Sequence, residues 1–218
     1  MSACEARCPT PTGPQVRAIP PASGLIALAL LALAFAPAHA QVMGTWQTAK
    51  TEAPDAWRAG AFLIIGEPIG LVGQLRTGLD TNWDLGIQLG FPDFDDDTVF
   101  GIAGDTKVLF HKESSEFPLD VAGDIAFGYQ TDGDFDLVDF DLGLIGSKAI
   151  TTKGGEVISP YGAIIFAIGH ANDDTELDVH FRPGLEWVIS QTVNFLGELN
   201  LSSRDETMAL SVGLMFKL

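Results

Sequence analysis

Three histidines, His111, His170 and His180, are the residues downstream of position 40 best suited to moving a proton near neutral pH. His170 is close in sequence to Asp173 and Asp174, the arrangement of a base with an acidic orienter. His180 stands two residues from both Asp178 and Arg182, a spacing that suits a charge network better than catalysis. His111 falls in a turn by position. Neither Ser-His-Asp nor metal-ligand spacing surrounds any of them, so catalytic residues are expected to be none. Asp132-Gly-Asp134-Phe-Asp136 opens like a calcium-binding EF-hand loop. It lacks glycine at the sixth position, which is Leu137, and glutamate at the twelfth, which is Gly143, so it fails the motif. The two cysteines, Cys4 and Cys8, both precede an apolar run. No metal centre and no cofactor is expected.

The apolar run, Leu25 to Phe35, follows Arg17 and leads into Ala38-His39-Ala40, an A-x-A cleavage site. It is too short to cross a bilayer as a helix, which takes about 20 residues. Residues 1–40 are therefore expected to be a signal peptide cleaved after Ala40, with Val16 as an alternative translation start. Residues 41–55 are expected to be a periplasmic lead-in, with partial entry into the barrel as the other possibility, and residues 56–218 to be the folded domain. The whole chain carries 12 basic and 29 acidic residues. Losing Glu5, Arg7 and Arg17 with the leader leaves ten against 28, a net charge of −18. A chain so acidic, with no basic patch, is not a nucleic-acid binder.

What must position these residues is a set of strands. Trp83-Asp-Leu-Gly-Ile-Gln-Leu-Gly-Phe91 alternates strictly, with Trp83, Leu85, Ile87, Leu89 and Phe91 on one face. The same rhythm recurs in ten segments, roughly 56–66, 69–79, 82–91, 98–111, 117–130, 136–150, 156–169, 176–190, 193–202 and 208–218. The first and seventh alternate poorly. No segment has a helical period. An up-and-down meander of these strands puts Phe91–Asp97, Thr131–Asp134, Ala171–Thr175 and Ser203–Glu206 at one end, which is acidic. The other end carries the turn lysines Lys112 and Lys153. The expected fold is all-β, a closed antiparallel up-and-down barrel of about ten strands, or eight or twelve if a hairpin is split or merged.

Alternation alone leaves open whether the apolar face meets a core or lipid. The polar face is rich in glycine (Gly86, Gly90, Gly101, Gly128, Gly143, Gly184, Gly213), which suits a crowded barrel interior. Apolar-face aromatics concentrate near strand ends, with Trp57, Trp83, Phe110, Trp187, Phe195 and Phe216 at the end of the termini. Phe91, Phe100 and Tyr129 sit at the other end. Two such girdles match two membrane interfaces.

The terminal segment Met208–Leu218 resembles the C-terminal signal strand of bacterial outer-membrane β-barrels. Leu210, Val212, Leu214, Phe216 and Leu218 share one face, although Leu218 replaces the usual terminal aromatic. The resemblance implies a transmembrane barrel in the outer membrane of a Gram-negative bacterium. It also implies outer-membrane lipids and the barrel assembly machinery as partners. Short acidic loops argue against an adhesive role, which long loops serve better.

In such a barrel the polar face lines the lumen. Its expected charge network comprises Arg58, Arg76, Asp84, Asp105, Lys107, Asp120, Asp124, Asp139, Asp141, Asp178, His180, Arg182, Glu186, Glu198 and Lys217. The expected role is structural, or that of a narrow, weakly cation-preferring channel. The alternatives are a secreted or periplasmic soluble barrel for a small apolar ligand, and third an outer-membrane hydrolase using the rim histidine His170. N-terminal sequencing of the exported protein is expected to read Gln41-Val-Met-Gly, whereas a start at or before Ala40 would remove the proposed cleavage site.

Overall fold

The computed structural model describes residues 44–66, 68–94, 97–133, 136–171, 174–203 and 208–218. Within them lie ten long strands: β1 (Trp57–Gly66), β2 (Ile69–Asp80), β3 (Trp83–Phe94), β4 (Phe100–His111), β5 (Asp120–Thr131), β6 (Asp136–Ser147), β7 (Val157–Ala171), β8 (Asp174–Val188), β9 (Val193–Ser202) and β10 (Met208–Lys217). Two further two-residue strands, Asp97–Thr98 and Ile150–Thr151, extend neighbouring hairpins. Each long strand pairs antiparallel with the next in sequence, and β10 returns to β1, so the sheet closes. Closure runs in unbroken register from Arg58↔Lys217 to Gly66↔Ala209. The Leu218 amide then donates to the Trp57 carbonyl at 2.9 Å, continuing the seam to the last residue.

The faces divide as the sequence pattern requires. Leu71, Ile87, Leu89, Ile125, Leu142 and Phe166 point outward and are exposed, whereas Gln74, Arg76, Gln88, Asp105, Asp139 and Arg182 are buried inside. A barrel with an apolar exterior and a packed polar interior is inverted relative to a soluble one and is built to sit in lipid. This orientation overturns the soluble-barrel alternative, in which the apolar face would be the core.

Strand ends differ from expectation in small ways. β3 continues through Pro92–Phe94, residues read as part of a loop, and Asp93 and Phe94 pair with Thr98 and Asp97. His111 ends β4, at a register shift beside Leu109, and meets Phe117 edge-on with ring centroids 4.9 Å apart.

Glycines on the inner face make room for large side chains. A Cβ at Gly86 would lie 2.3 Å from an Asp105 carboxylate oxygen and 2.5 Å from the Arg76 guanidinium. One at Gly184 would lie 2.2 Å from the Tyr161 ring. Narrow barrels leave no slack for both.

The closing register is directly checkable, because no cysteine lies downstream of Cys8. In the processed chain, Ala61→Cys combined with Leu214→Cys is expected to form a disulfide on mild oxidation, these two residues being paired. Ala61→Cys with Met215→Cys, one residue off and on opposite faces, is expected to stay reduced. The reverse outcome would mean a slipped or open seam.

Candidate functional site

The lumen is occupied by the chain itself. Trp46, Gln47, Thr48, Ala49 and Thr51 are all buried within the barrel, so part of the 41–55 segment enters the lumen, the second of the two courses open to it, while Ala53–Asp55 stay exposed. Its main chain is held by side chains of the wall. Glu198 Oε1 and Oε2 accept from the amides of Thr45 and Trp46 at 3.0 and 2.9 Å. Ser147 Oγ accepts from the Ala49 amide at 3.0 Å, and Asp84 from the Glu52 amide at 3.1 Å. Lys107 Nζ donates to the carbonyls of Thr48 and Lys50 at 2.8 and 2.9 Å, and Gln88 Nε2 to that of Gly44 at 3.0 Å. A peptide without sheet or helix partners must find others, and here wall side chains supply them.

Side chains complete the fit. Trp46 stacks on Phe62 with ring centroids 4.5 Å apart and planes 7° from parallel. Ala49 is buried in a cluster with Leu109, Ala122, Ile145, Ala163 and Ile165. Gln47 Nε2 reaches Asp124 at 3.3 Å, and Arg182 donates to Thr45 Oγ1 at 3.4 Å. Tyr161 donates its hydroxyl proton to Glu198 at 2.9 Å, so one carboxylate gathers two plug amides and a phenol.

Thirteen of the fifteen charge-network residues lie inside the barrel: Glu198 at the plug, and twelve in three groups. Arg76 bridges Asp84 and Asp105, with Lys107 3.3 Å from Asp84 and Asp124 on the adjoining strand. Toward the mouth where β1 begins and β10 ends, Arg58 binds Glu186 at 2.8 Å and Glu52 of the plug at 2.7 Å, and Asn194 donates to Glu186. In the third group Asp178 accepts from Ser202 and Ser203 at 2.7 and 2.9 Å and lies 3.3 Å from His180. Asp139 accepts from Gln130 at 3.4 Å, Asp141 is buried nearby on the same strand, and Arg182 binds Asn200 at 3.1 Å. Asp120 and Lys217 lie at the rim of the same inward face. Asp120 is half-buried at the strand start and accepts from the Glu113 amide at 2.7 Å, and Lys217 is exposed. Both border the mouth where β10 ends, open to water, rather than the packed interior.

The remaining expected residues fall on the outer face. Trp57, Trp83, Phe110, Trp187 and Phe216 are exposed at the end where β10 finishes, with Phe195 half-buried beside them. Phe91 and Phe100 are exposed at the other end, their rings 5.8 Å apart, with Tyr129 half-buried. Phe127, Phe140, Phe166 and Phe181 also lie outward at mid-height, so phenylalanine is not confined to the ends. Outward tryptophan is: Trp57, Trp83 and Trp187 mark strand ends, as expected for a ring with one polar atom. Leu210, Leu214, Phe216 and Leu218 are exposed, and Val212 shares their face half-buried. His170 Nδ1 lies 3.0 Å from Thr175 Oγ1 on the outer face, apart from the lumen. Its neighbour Asp173, like Asp95, Asp96 and Asp134 of the acidic loops, lies outside the described residues.

Sequence reading missed the plug contacts: Thr45, Trp46 and Gln47, their wall partners Ser147 and Tyr161, and the lumen amides Gln88, Asn194 and Asn200. A signal existed in the two poorly alternating segments. Phe62 and Ile64 of β1, and Ala163, Ile165 and Ala167 of β7, are apolar where a water-filled lumen would want polar groups. Phe62 meets Trp46, and Ala163 and Ile165 cluster with Ala49.

No family model matches the chain, and no curated protein matches it. Among solved structures it is similar to a KdgM porin, at 8% identity over 74% of this chain and 99% of that one, with a TM-score of 0.44. It is also similar to an outer-membrane channel from Pseudomonas putida F1, at 11% identity over 82% and 100% of the two chains, TM-score 0.46. The β-domain of the Bordetella autotransporter BrkA gives 12% identity over 77% and 100%, TM-score 0.42. The described geometry itself is that of an outer-membrane-type barrel.

Glu198 is the anchor to remove. Glu198→Ala leaves two buried amides and a phenol without their acceptor, at about 1–3 kcal/mol for each orphaned group. Amide hydrogen exchange at Thr45 and Trp46 is expected to quicken at least tenfold or so, while the β3 and β4 amides stay protected. Equal protection in variant and parent would mean that the plug is held elsewhere.

Proposed function

We propose that this chain is an integral protein of the bacterial outer membrane that acts as a narrow channel closed by its own N-terminal segment. The reading further takes the mouth where β10 ends to face the periplasm, the outward tryptophans to sit at a membrane interface, and β10 to be the strand read by the assembly machinery. One observation supports the channel more than any other. The plug is bound through its backbone by polar side chains, so, apart from the apolar patches around Phe62 and Ala163, the space it fills is already lined for water and ions once it leaves. A barrel built only as a staple has a simpler solution, an interior packed by its own wall.

Selectivity follows from the wall charges. Within the described lumen, Asp84, Asp105, Asp124, Asp139, Asp141, Asp178, Glu186 and Glu198 face Arg58, Arg76, Lys107 and Arg182. With the plug gone, the acidic excess raises the local concentration of cations and lowers that of anions. Catalysis forms no part of this reading. His170 is directed to the outer face beside Thr175, and His180 is packed against Asp178.

Planar-bilayer recording separates a plugged channel from a permanently filled barrel. The intact protein is expected to be silent or to open rarely. Deletion of Gly44–Thr51 is expected to give steady steps whose reversal potential in a potassium chloride gradient favours potassium. Absence of steps in a deletion variant that still shows heat-modifiable migration would leave the structural role alone standing.

A further inference from the structure

The outward wall is indented between β6 and β7. Gly146 of β6 and Gly162 of β7 are paired across the strands and both lie on the outer face. A methyl group added at Gly146 would meet nothing within 4 Å, and one at Gly162 only a Phe181 ring carbon at 3.8 Å. These glycines are therefore not making room for a neighbouring side chain, as Gly86 and Gly184 do inside. The hollow of about 650 Å³ is walled by Leu144, Ile150, Ile164 and Phe181, with Phe117 from the β4–β5 loop and Lys148 at its border. Its volume is within the ~300–1,000 Å³ of ordinary small-molecule sites.

Three features restrict the occupant. The walls are almost wholly apolar, so the buried part of the occupant has nothing to hydrogen-bond and must itself be apolar. The hollow opens on the lipid-facing side of a membrane barrel, where hydrocarbon is the surrounding solvent. At its border Lys148 is more than a third exposed and pairs only loosely, at 3.5 Å, with the equally exposed Glu113. An ammonium with free donors at the margin of an apolar slot complements an anionic headgroup whose tail fills the slot.

We propose that the Gly146–Gly162 notch binds one acyl chain of an anionic glycerophospholipid, with Lys148 holding its phosphate. The site rests on the reading of the chain as a membrane barrel and is independent of the plug. The glycine pair supplies the depth, which a leucine on either strand would abolish. Lys148 supplies the headgroup preference.

The test is native mass spectrometry of the detergent-extracted barrel, titrated with phosphatidylglycerol or phosphatidylcholine. The parent is expected to retain one phosphatidylglycerol through detergent removal, and phosphatidylcholine more weakly. Gly162→Leu is expected to lose retention of both by roughly tenfold. Lys148→Gln, which leaves the wall untouched, is expected to keep the lipid but lose the preference. Equal retention by all three proteins would overturn the proposal. So would a dimer that Gly162→Leu dissolves, which would make a second copy the occupant. A chain that stays in water without detergent fails the membrane reading itself, before any lipid is added.

Discussion

Everything in this molecule depends on the seam between β1 and β10. In hydrocarbon no solvent can satisfy a free amide or carbonyl, so an open sheet edge would leave a column of unpaired groups. The nine paired positions from Arg58↔Lys217 to Gly66↔Ala209 remove that edge. Closure turns one face of every strand inward and the other toward lipid. It thereby converts a two-residue sequence rhythm into an inside and an outside. The lumen charges, the outer tryptophans and the notch are all consequences of which side of that ring a residue faces.

Closing the ring creates a second problem, a narrow interior crowded with polar groups. Buried ion pairs roughly break even against apolar packing, but an unpaired buried charge is costly. Arg76 answers for two carboxylates, and Arg58 joins a wall glutamate to Glu52. The rest of the demand is met by peptide backbone. Glu198 receives amides, while Lys107 and Gln88 give protons to carbonyls, where water would otherwise serve. A backbone plug suits this task because it presents donors and acceptors in alternation along its length. It also couples occupancy to electrostatics, since removing the plug leaves the carboxylates to water and mobile cations.

Much of this was legible in the sequence, and the reason is geometric. Side-chain direction in a strand has a period of two, so Trp83–Phe91 and Met208–Leu218 declared their faces and their place in the sheet. The strands found lie within about four residues of those expected. The lumen charges were equally legible, because a charged residue on an alternating strand has one face to occupy. What the pattern did not carry was Trp46–Thr51. That stretch has no periodicity, and its contacts are to residues 98 to 153 positions away at Ser147 and Glu198. Its trace was indirect: β1 and β7 alternate poorly because Phe62, Ala163 and Ile165 cover the plug rather than water. Asp120 and Lys217 share the inward face but sit at its mouth, since period gives the face of a residue but not its depth.

The molecule is an inverted barrel whose lumen is filled. Site-directed spin labelling tests both halves at once, with single cysteines at Ile87, Gln88, Leu89, Ile102 and Ala103 in the membrane-reconstituted protein. An inverted, plugged barrel gives high accessibility to oxygen and low accessibility to a water-soluble nickel complex at Ile87, Leu89 and Ile102. At Gln88 and Ala103 it gives low accessibility to both reagents. Nickel access at Gln88 and Ala103 equal to that of an open aqueous pore would contradict the plug, and oxygen maxima at those two positions would contradict the barrel's orientation.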